Sequence, residues 1–190
     1  MNKKYTHSQV RAEMLKLPEK EFWPVGSEAG NFLKEVVEKY KPQKLLEIGT
    51  SSGYSTTWLL EGLQDITAKI ITIESNQSRY DIAQDFFAKL DLKNINLTHL
   101  RHHAPEVFKE IDLTNLDFIF CDAIKMQTLS LFEELQPFMT KNGVFIVDNV
   151  ISHKNSMQNF YDYLDENNIR CQVIEKGAGL ILIDNKQFYT

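Results

Sequence analysis

Three oxygen-bearing side chains mark the ends of two predicted strands in the second half of the chain. Asp122 ends the run LDFIFCD, and Asp148 and Asn149 end and follow GVFIVD. Because ligand sites of parallel sheets lie outside the carboxyl ends of the strands, we expect these side chains to converge. Carboxylate and amide oxygens suit a hard cation such as Mg²⁺. Any one of them alone fits a turn or cap residue, whereas the three together favour a metal site.

Lys125 follows Asp122 by three positions and therefore lies in the loop beyond the same strand. A lysine in such a loop is commonly a solvated surface residue. Beside a divalent cation its pKa would fall, and its amine could then take a proton from a substrate hydroxyl group. The spacing is compatible with both roles.

The run KLLEIGTSSGYSTTWLL, residues 44–60, predicts a buried strand, a turn of small residues and the start of a helix. This geometry presents backbone N–H groups and the positive end of a helix dipole to a ligand. Glu74 ends the next strand, 25 positions after Gly49. An acidic residue about 20 positions beyond such a loop holds a ribose hydroxyl in doubly wound folds. The chain is therefore predicted to bind a nucleoside-containing cofactor.

Glu47 lies within the apolar end of the first strand, where an unpaired carboxylate would be costly. The sequence thus predicts that either a buried partner or a polar ligand satisfies it.

A competing motif overlaps the same loop, because Gly49, Ser51 and Gly53 fit the G-x-S-x-G pattern of a hydrolase nucleophile. Histidines and acids that could complete a triad lie downstream: His102, His103, Asp122, Asp148 and His153. However, the loop follows the first core strand, Glu74 would have no role, and His153 has no clear acid partner. Ser51 as a nucleophile is therefore the less favoured alternative.

Strands and helices alternate around these residues. Apolar runs predict strands over 44–48, 69–74, 95–100, 116–122 and 143–148, followed by a hairpin within CQVIEKGAGLILID. Helices are predicted over 8–16, 54–63, 77–91, 105–111, 126–138 and 155–167, and one more begins at Ser27 and stops before Pro42. Ser27 and Ser75 are expected as helix caps. This order predicts a doubly wound α/β sandwich with a mostly parallel seven-stranded sheet.

The bulk composition fits one domain over residues 1–190, with residues 1–25 as an N-terminal helical cap segment. The net charge of −5 leaves no basic footprint for nucleic acid. Two cysteines, Cys121 and Cys171, suggest reduced thiols in a cytoplasmic protein. No apolar window approaches the roughly 20 residues that a membrane span needs.

Together these residues resemble the class I methyltransferases that use S-adenosylmethionine (SAM), and more narrowly the metal-dependent catechol and caffeoyl-CoA O-methyltransferases. The likeness runs from about residue 24 to residue 151, and its most specific part is Asp122 and Lys125 after the fourth strand with Asp148 and Asn149 after the fifth. Similar bacterial members act on small hydroxylated aromatics or on tRNA hydroxyuridine. The resemblance implies methyl transfer to a hydroxyl group by in-line displacement.

The resemblance also implies roles for individual residues. It assigns the cofactor to Val25, Glu47, Gly49, Gly53, Tyr54, Ser55, Glu74, Ala104 and Asp122. Within that set, Glu47, Gly49, Tyr54 and Ser55 would hold the methionine end, Glu74 the ribose and Ala104 the adenine. Mg²⁺ would be held by Asp122, Asp148 and Asn149, and Lys125 would be the base.

Two segments depart from the family pattern. The turn expected to contact adenine contains His102 and His103, and Ser152–Lys154 provides no aromatic gate for a catechol. The preferred acceptor is a small hydroxylated, catechol-like molecule; a tRNA hydroxyuridine acceptor and a non-catalytic SAM-binding role are the alternatives. Phe22 and Trp23 could cover the pocket or contribute to a homodimer.

Overall fold

A computed structural model describes residues 4–18 and 24–189 of the chain. Its seven strands are β1 (Lys44–Ile48), β2 (Ala68–Glu74), β3 (Ile95–Arg101), β4 (Leu116–Cys121), β5 (Met139–Asp148), β6 (Gln172–Ile174) and β7 (Leu180–Asp184). They form one sheet in the order β3-β2-β1-β4-β5-β7-β6. Among the described strands, β7 runs in the opposite direction to the other six and is therefore antiparallel to both β5 and β6. The predicted mostly parallel sheet with a C-terminal antiparallel hairpin is confirmed.

Helices cover both faces of the sheet. They are α1 (His7–Met14), α2 (Ser27–Tyr40), α3 (Tyr54–Gly62), α4 (Gln77–Phe87), α5 (Thr128–Leu135) and α6 (Gln158–Glu166). Successive side chains of a strand point to opposite faces, so Leu45 packs with α1 to α4 and Leu46 packs with α5 and α6. Among the described residues, no helix has the length and apolar character needed to cross a membrane.

Several helix ends differ from the sequence prediction. Helix α2 starts at Ser27 itself, after Gly26 with φ of 77°, and Asn76 rather than Ser75 caps α4 by accepting the N–H of Arg79. The predicted helix 126–138 stops at Leu135, because Pro137 has no N–H group with which to continue it. The predicted helix 105–111 is a short 3₁₀ turn, Glu106–Lys109.

The N-terminal helix is held against α3 by a buried cation. The Arg11 guanidinium lies 3.6 Å from the ring centroid of Trp58, donates to the Thr57 carbonyl at 3.3 Å and pairs with Glu61. Helix α3 begins at the glycine loop after β1, so α1 braces the helix that follows this loop. The predicted division into one domain with an N-terminal cap stays a prediction, and Phe22 and Trp23 lie outside the described residues.

The strand order places the chemically interesting residues at one edge. In the parallel register, Ile48 pairs with both Ile73 and Cys121, and Cys121 pairs with Val147. The residues that follow these strand ends therefore meet at the carboxyl edge. The chain moves outward from β1 to β3 and then returns to β4, which makes the β1–β4 boundary the topological switch point where such sheets bind ligands.

Candidate active site

The loop between β1 and α3 depends on three residues in the left-handed backbone region. Gly49, Ser51 and Gly53 have φ angles of 97°, 50° and 90°. A Cβ on Gly49 would lie 2.2 Å from the carbonyl oxygen of Asp122. Glycine at this position therefore allows the end of β1 to approach the residue that follows β4.

Glu47 lies beneath this loop, and its side chain has no accessible surface. Its carboxylate accepts hydrogen bonds of 2.6 Å from the hydroxyl groups of Ser55, Thr56 and Thr72. Burial raises the pKa of Glu47 to about 7, although these three hydrogen bonds favour the charged form. The sequence predicted that either a buried partner or a polar ligand would bond to the Glu47 carboxylate. The structure contains the buried partners, and a direct contact between Glu47 and a cofactor stays a prediction.

Glu74 ends β2 and connects two segments of backbone. Its Oε2 accepts the N–H of Ser51 and its Oε1 accepts the N–H of Asn76, each at 2.7 Å. A carboxylate has about four acceptor positions, so lone pairs are left for further donors. The side chain retains 5% of its accessible surface and lines the cleft described next.

A cleft of about 390 Å³ opens at the switch point. Its walls contain Gly49, Glu74, Ala104 and Asp122, together with His102, His103, Arg79, Gln127 and the apolar residues Ile48, Ile73, Ala123 and Ile124. A much smaller recess adjoins it and is lined by Val25, Gly49, Tyr54, Ser55 and Asp122, among others. Gly49 and Asp122 line both, so the cleft and the recess adjoin at these two residues.

The structure thus brings together most of the predicted cofactor residues, with two exceptions. Val25, Gly49, Tyr54, Ser55, Glu74, Ala104 and Asp122 line the cleft or the recess. Gly53 lines neither, and a Cβ there would lie 2.7 Å from the Phe87 ring, so packing also requires glycine at this position. Glu47 is separated from the site by the loop that it supports.

The carboxylates at the ends of β4 and β5 have very different surroundings. Asp122 accepts a hydrogen bond from Lys125, as an ion pair three positions apart. Asp148 is 1% exposed, and within the described residues no side chain pairs with either of its carboxylate oxygens, although the backbone N–H of Asn149 and the charge of Lys125 favour its charged form. Burial and the charge of Asp122 raise the pKa of Asp148 to about 7, and burial also raises that of Asp122.

A buried, unpartnered carboxylate is costly unless a cation or donor satisfies it. Asn149 follows Asp148 with φ of 64°, in the left-handed region that asparagine tolerates. Among the described residues, no group of three or more His, Cys, Asp or Glu side chains could hold a metal ion. A cation here would therefore depend on two carboxylates and one amide, which is an all-oxygen set that suits Mg²⁺.

Three large aliphatic side chains lie exposed beside these residues, and the sequence interpretation did not single them out. Ile124 and Met126 flank Lys125 with exposures of 65% and 76%, and Ile151 follows β5 with 50%. The turn at Lys125–Gln127 packs against the turn at Lys154–Met157, so the two loops adjoin.

The sequence interpretation also did not identify Thr56 and Thr72 as partners of Glu47. The contact between Thr72 and Glu47 depends on strand register, which the sequence pattern does not reveal.

The hydrolase alternative lacks its triad. The Ser51 N–H is bonded to Glu74, and the His153 ring contacts Ser152 at 2.9 Å. Within residues 4–18 and 24–189, no hydrogen bond joins the Ser51 hydroxyl to a histidine.

Comparison with known proteins gives concordant results. A family model described as O-methyltransferase matches residues 2–176. Catechol O-methyltransferase of Sus scrofa is 32% identical over 132 residues, which cover 67% of this chain and 70% of that protein. Its counterpart in Mus musculus is 31% identical over 132 residues, covering 67% of this chain and 49% of the relative, so this chain spans about half the length of that relative.

Solved structures show the same fold. The SAH-bound Podospora anserina methyltransferase PaMTH1 superimposes with a TM-score of 0.82 at 19% identity, and the match covers 94% of this chain and 87% of the other.

Proposed function

The chain belongs to the O-methyltransferase family, and we propose that it transfers the methyl group of SAM to a hydroxyl group of a small acceptor with the help of a divalent cation. One observation carries the proposal. Asp122 lines the cleft and the recess that suit a nucleoside cofactor, and its charge acts on the buried Asp148 next to it. A single carboxylate thus adjoins both the proposed cofactor site and the proposed cation site.

In this proposal the cleft takes the nucleoside part of SAM and the recess takes the methionine part. Glu74 accepts the ribose hydroxyls with the lone pairs that its two backbone N–H bonds leave available. Ala104, with His102 and His103, bounds the adenine, and Val25, Gly49, Tyr54 and Ser55 enclose the amino acid end. SAM supplies an electrophilic methyl group on its sulfonium.

Asp122, Asp148 and Asn149 would hold the divalent cation, and the oxygens of Asp148, with which no described side chain pairs, support this assignment. Such an ion lowers the pKa of a hydroxyl group bound to it. Lys125 contacts Asp122 and is nearer to Asp122 in sequence than any other lysine. We therefore assign to Lys125 Nζ the removal of the proton from the acceptor hydroxyl group. Much of the rate increase would come from alignment, which is worth up to about 7–11 kcal/mol.

The acceptor is proposed to be small and apolar apart from its hydroxyl groups. Ile124, Met126 and Ile151 offer exposed aliphatic surface on the two loops beside Lys125, which suits the face of an aromatic ring. Two adjacent hydroxyl groups could share one cation, so a catechol-like acceptor is the natural first choice.

The test is a transfer assay with radiolabelled SAM, Mg²⁺ and a panel of catechols and single phenols. We expect labelled methyl ether from the catechols, complete loss of transfer in EDTA, and recovery when Mg²⁺ is added in excess. Full transfer in EDTA would remove the cation from the proposal. Binding of SAM without transfer to any acceptor of the panel would contradict the proposed acceptor class.

We also propose a cytoplasmic location. Both cysteines are free thiols, and Cys171 is exposed, a state that reducing compartments preserve.

A further inference from the structure

Glu47 is the centre of a group of hydroxyl side chains beneath the cofactor loop. Ser55 donates to Oε1, and Thr56 and Thr72 donate to Oε2, each at 2.6 Å. A fourth hydroxyl, that of Thr50, lies 2.5 Å from the Thr72 hydroxyl. When Glu47 is ionised, Thr72 uses its one proton on that carboxylate, so Thr50 is the donor in the contact between the two threonines. All four hydroxyl protons therefore point, directly or through Thr72, toward one carboxylate.

These donors come from three different elements. Thr50 belongs to the loop after β1, Ser55 and Thr56 belong to the first turn of α3, and Thr72 lies on β2, opposite Glu47 in the register. Glu47, which lies on β1, thus connects the loop and its helix to β2. All four donors are buried, so water cannot replace these bonds without opening the core.

The loop that they hold needs such support. Three of its residues, Gly49, Ser51 and Gly53, have left-handed backbone angles. Its backbone also supplies the Ser51 N–H that bonds to Glu74, and its end supplies Tyr54 and Ser55 of the recess. A shift of the loop would therefore disturb both proposed halves of the SAM site.

We propose that Glu47 is a positioning residue that fixes the cofactor loop through its hydroxyl donors, without touching SAM. The inference rests on the proposed function, because it takes this loop as the SAM site. It assigns to Glu47 a role different from the direct contact that the family resemblance implies, and it extends the set of functional residues to Thr50, Thr56 and Thr72.

A pair of substitutions at Thr72 separates hydrogen bonding from packing. Thr72→Val keeps the shape of the side chain and removes its hydroxyl, whereas Thr72→Ser keeps the hydroxyl and removes a buried methyl group. We expect Thr72→Val to weaken binding of S-adenosylhomocysteine (SAH), the demethylated cofactor, by about tenfold, because a bond to a charged acceptor is lost. Thr72→Ser should bind SAH within about twofold of the unaltered chain even though it unfolds at a lower temperature.

Helix α3 provides a matched control. Thr56 and Thr57 are adjacent and fully buried, but the Thr57 hydroxyl donates to the Tyr54 carbonyl at 2.7 Å and not to Glu47. Thr56→Val should therefore weaken SAH binding by about tenfold, and Thr57→Val should leave it unchanged within about twofold. Calorimetric titration at about pH 8, above the pKa of about 7 of Glu47 in the unaltered chain, measures these affinities.

The outcomes are distinguishable. If the unaltered chain does not bind SAH, the proposed function fails and this inference fails with it. If the unaltered chain binds SAH, and Thr72→Val and Thr56→Val bind it equally well, the inference alone is overturned. Glu47→Gln adds a kinetic criterion, since a positioning role raises the KM for SAM and leaves the KM for the acceptor unaltered.

Discussion

At the scale of single residues, the Glu74 carboxylate has two roles. It holds the N–H groups of Ser51 and Asn76, and it faces the cleft with its remaining lone pairs. A ribose bound there would add its hydroxyl groups to bonds that already exist in the free chain. The site is therefore preorganised, which lowers the cost of ordering upon binding.

Replacement of Glu74 tests this arrangement. Glu74→Ala should weaken SAH binding by about 1.5–3 kcal/mol, the usual range for hydrogen bonds to a charged group. Calorimetric titration measures the change, and Glu133→Ala, which removes an exposed glutamate of α5, is the matched control. Equal affinity in the two variants would show that Glu74 does not hold the ribose.

Lys125 is the second residue whose role can be isolated. Lys125→Met keeps the aliphatic part of the side chain and removes the amine, so we expect kcat to fall by at least about 100-fold while SAH affinity stays close to that of the unaltered chain. Lys154→Met, a nearby lysine whose Nζ lies 5.4 Å from the Tyr161 ring centroid, is the control. Single-turnover rates that are alike in both variants would make Lys125 a surface residue.

At the scale of the elements, sequence patterns and structure agree where local physics decides. The buried strands were predictable, because near-continuous apolar runs such as LLEI and DFIFC are typical of parallel strands that are covered on both faces. Helix ends were less predictable. Asn76 and Ser75 are both good caps, and the backbone conformation at the start of α4 decides that Asn76 is the cap. The strand-end residues Glu74, Asp122 and Asp148 were found because topology places such residues at one edge. The Thr72 contact was not found, since it depends on which residue of β2 lies opposite Glu47.

Gly49 links the first strand to the fourth and provides a test at this scale. Gly49→Ala places a Cβ 2.2 Å from the Asp122 carbonyl oxygen at a φ of 97°, so it should destabilise the fold by about 2–4 kcal/mol. Gly26→Ala has a similar φ of 77°, but its Cβ would make only an ordinary contact, 3.9 Å from the Cα of Gly177, so it should cost less than Gly49→Ala. Urea denaturation compares the two, and equal losses would mean that the contact with Asp122 is unimportant.

At the scale of the whole molecule, two buried carboxyl groups make stability depend on pH. Burial raises the pKa of Glu47 from 4.5 and that of Asp148 from 3.8, each to about 7. Between about pH 5 and pH 7 these two groups bind more protons in the folded chain than in the unfolded chain, so their contribution to the free energy of unfolding falls as the pH rises. Glu47 alone contributes at most about 3 kcal/mol to this fall. His99, whose pKa burial lowers to about 4, contributes in the opposite direction.

Urea denaturation at about pH 5 and about pH 8, without divalent cations, measures the effect. We expect the stability at about pH 5 minus that at about pH 8 to be smaller in Glu47→Gln than in the unaltered chain, because the variant lacks the group whose pKa burial raises. Glu133→Gln, at an exposed position, should behave like the unaltered chain. An equal pH dependence in Glu47→Gln and the unaltered chain would contradict the raised pKa of Glu47.

The docking of α1 has a practical consequence for producing this protein. Arg11 covers the Trp58 ring and neutralises Glu61 on α3. A shortened variant that starts after residue 18 would expose the Trp58 indole on the helix that follows the glycine loop and would leave Glu61 paired with Lys34, 3.6 Å away. We expect such a variant to aggregate more readily during purification than the 190-residue chain, because an exposed indole adds apolar surface.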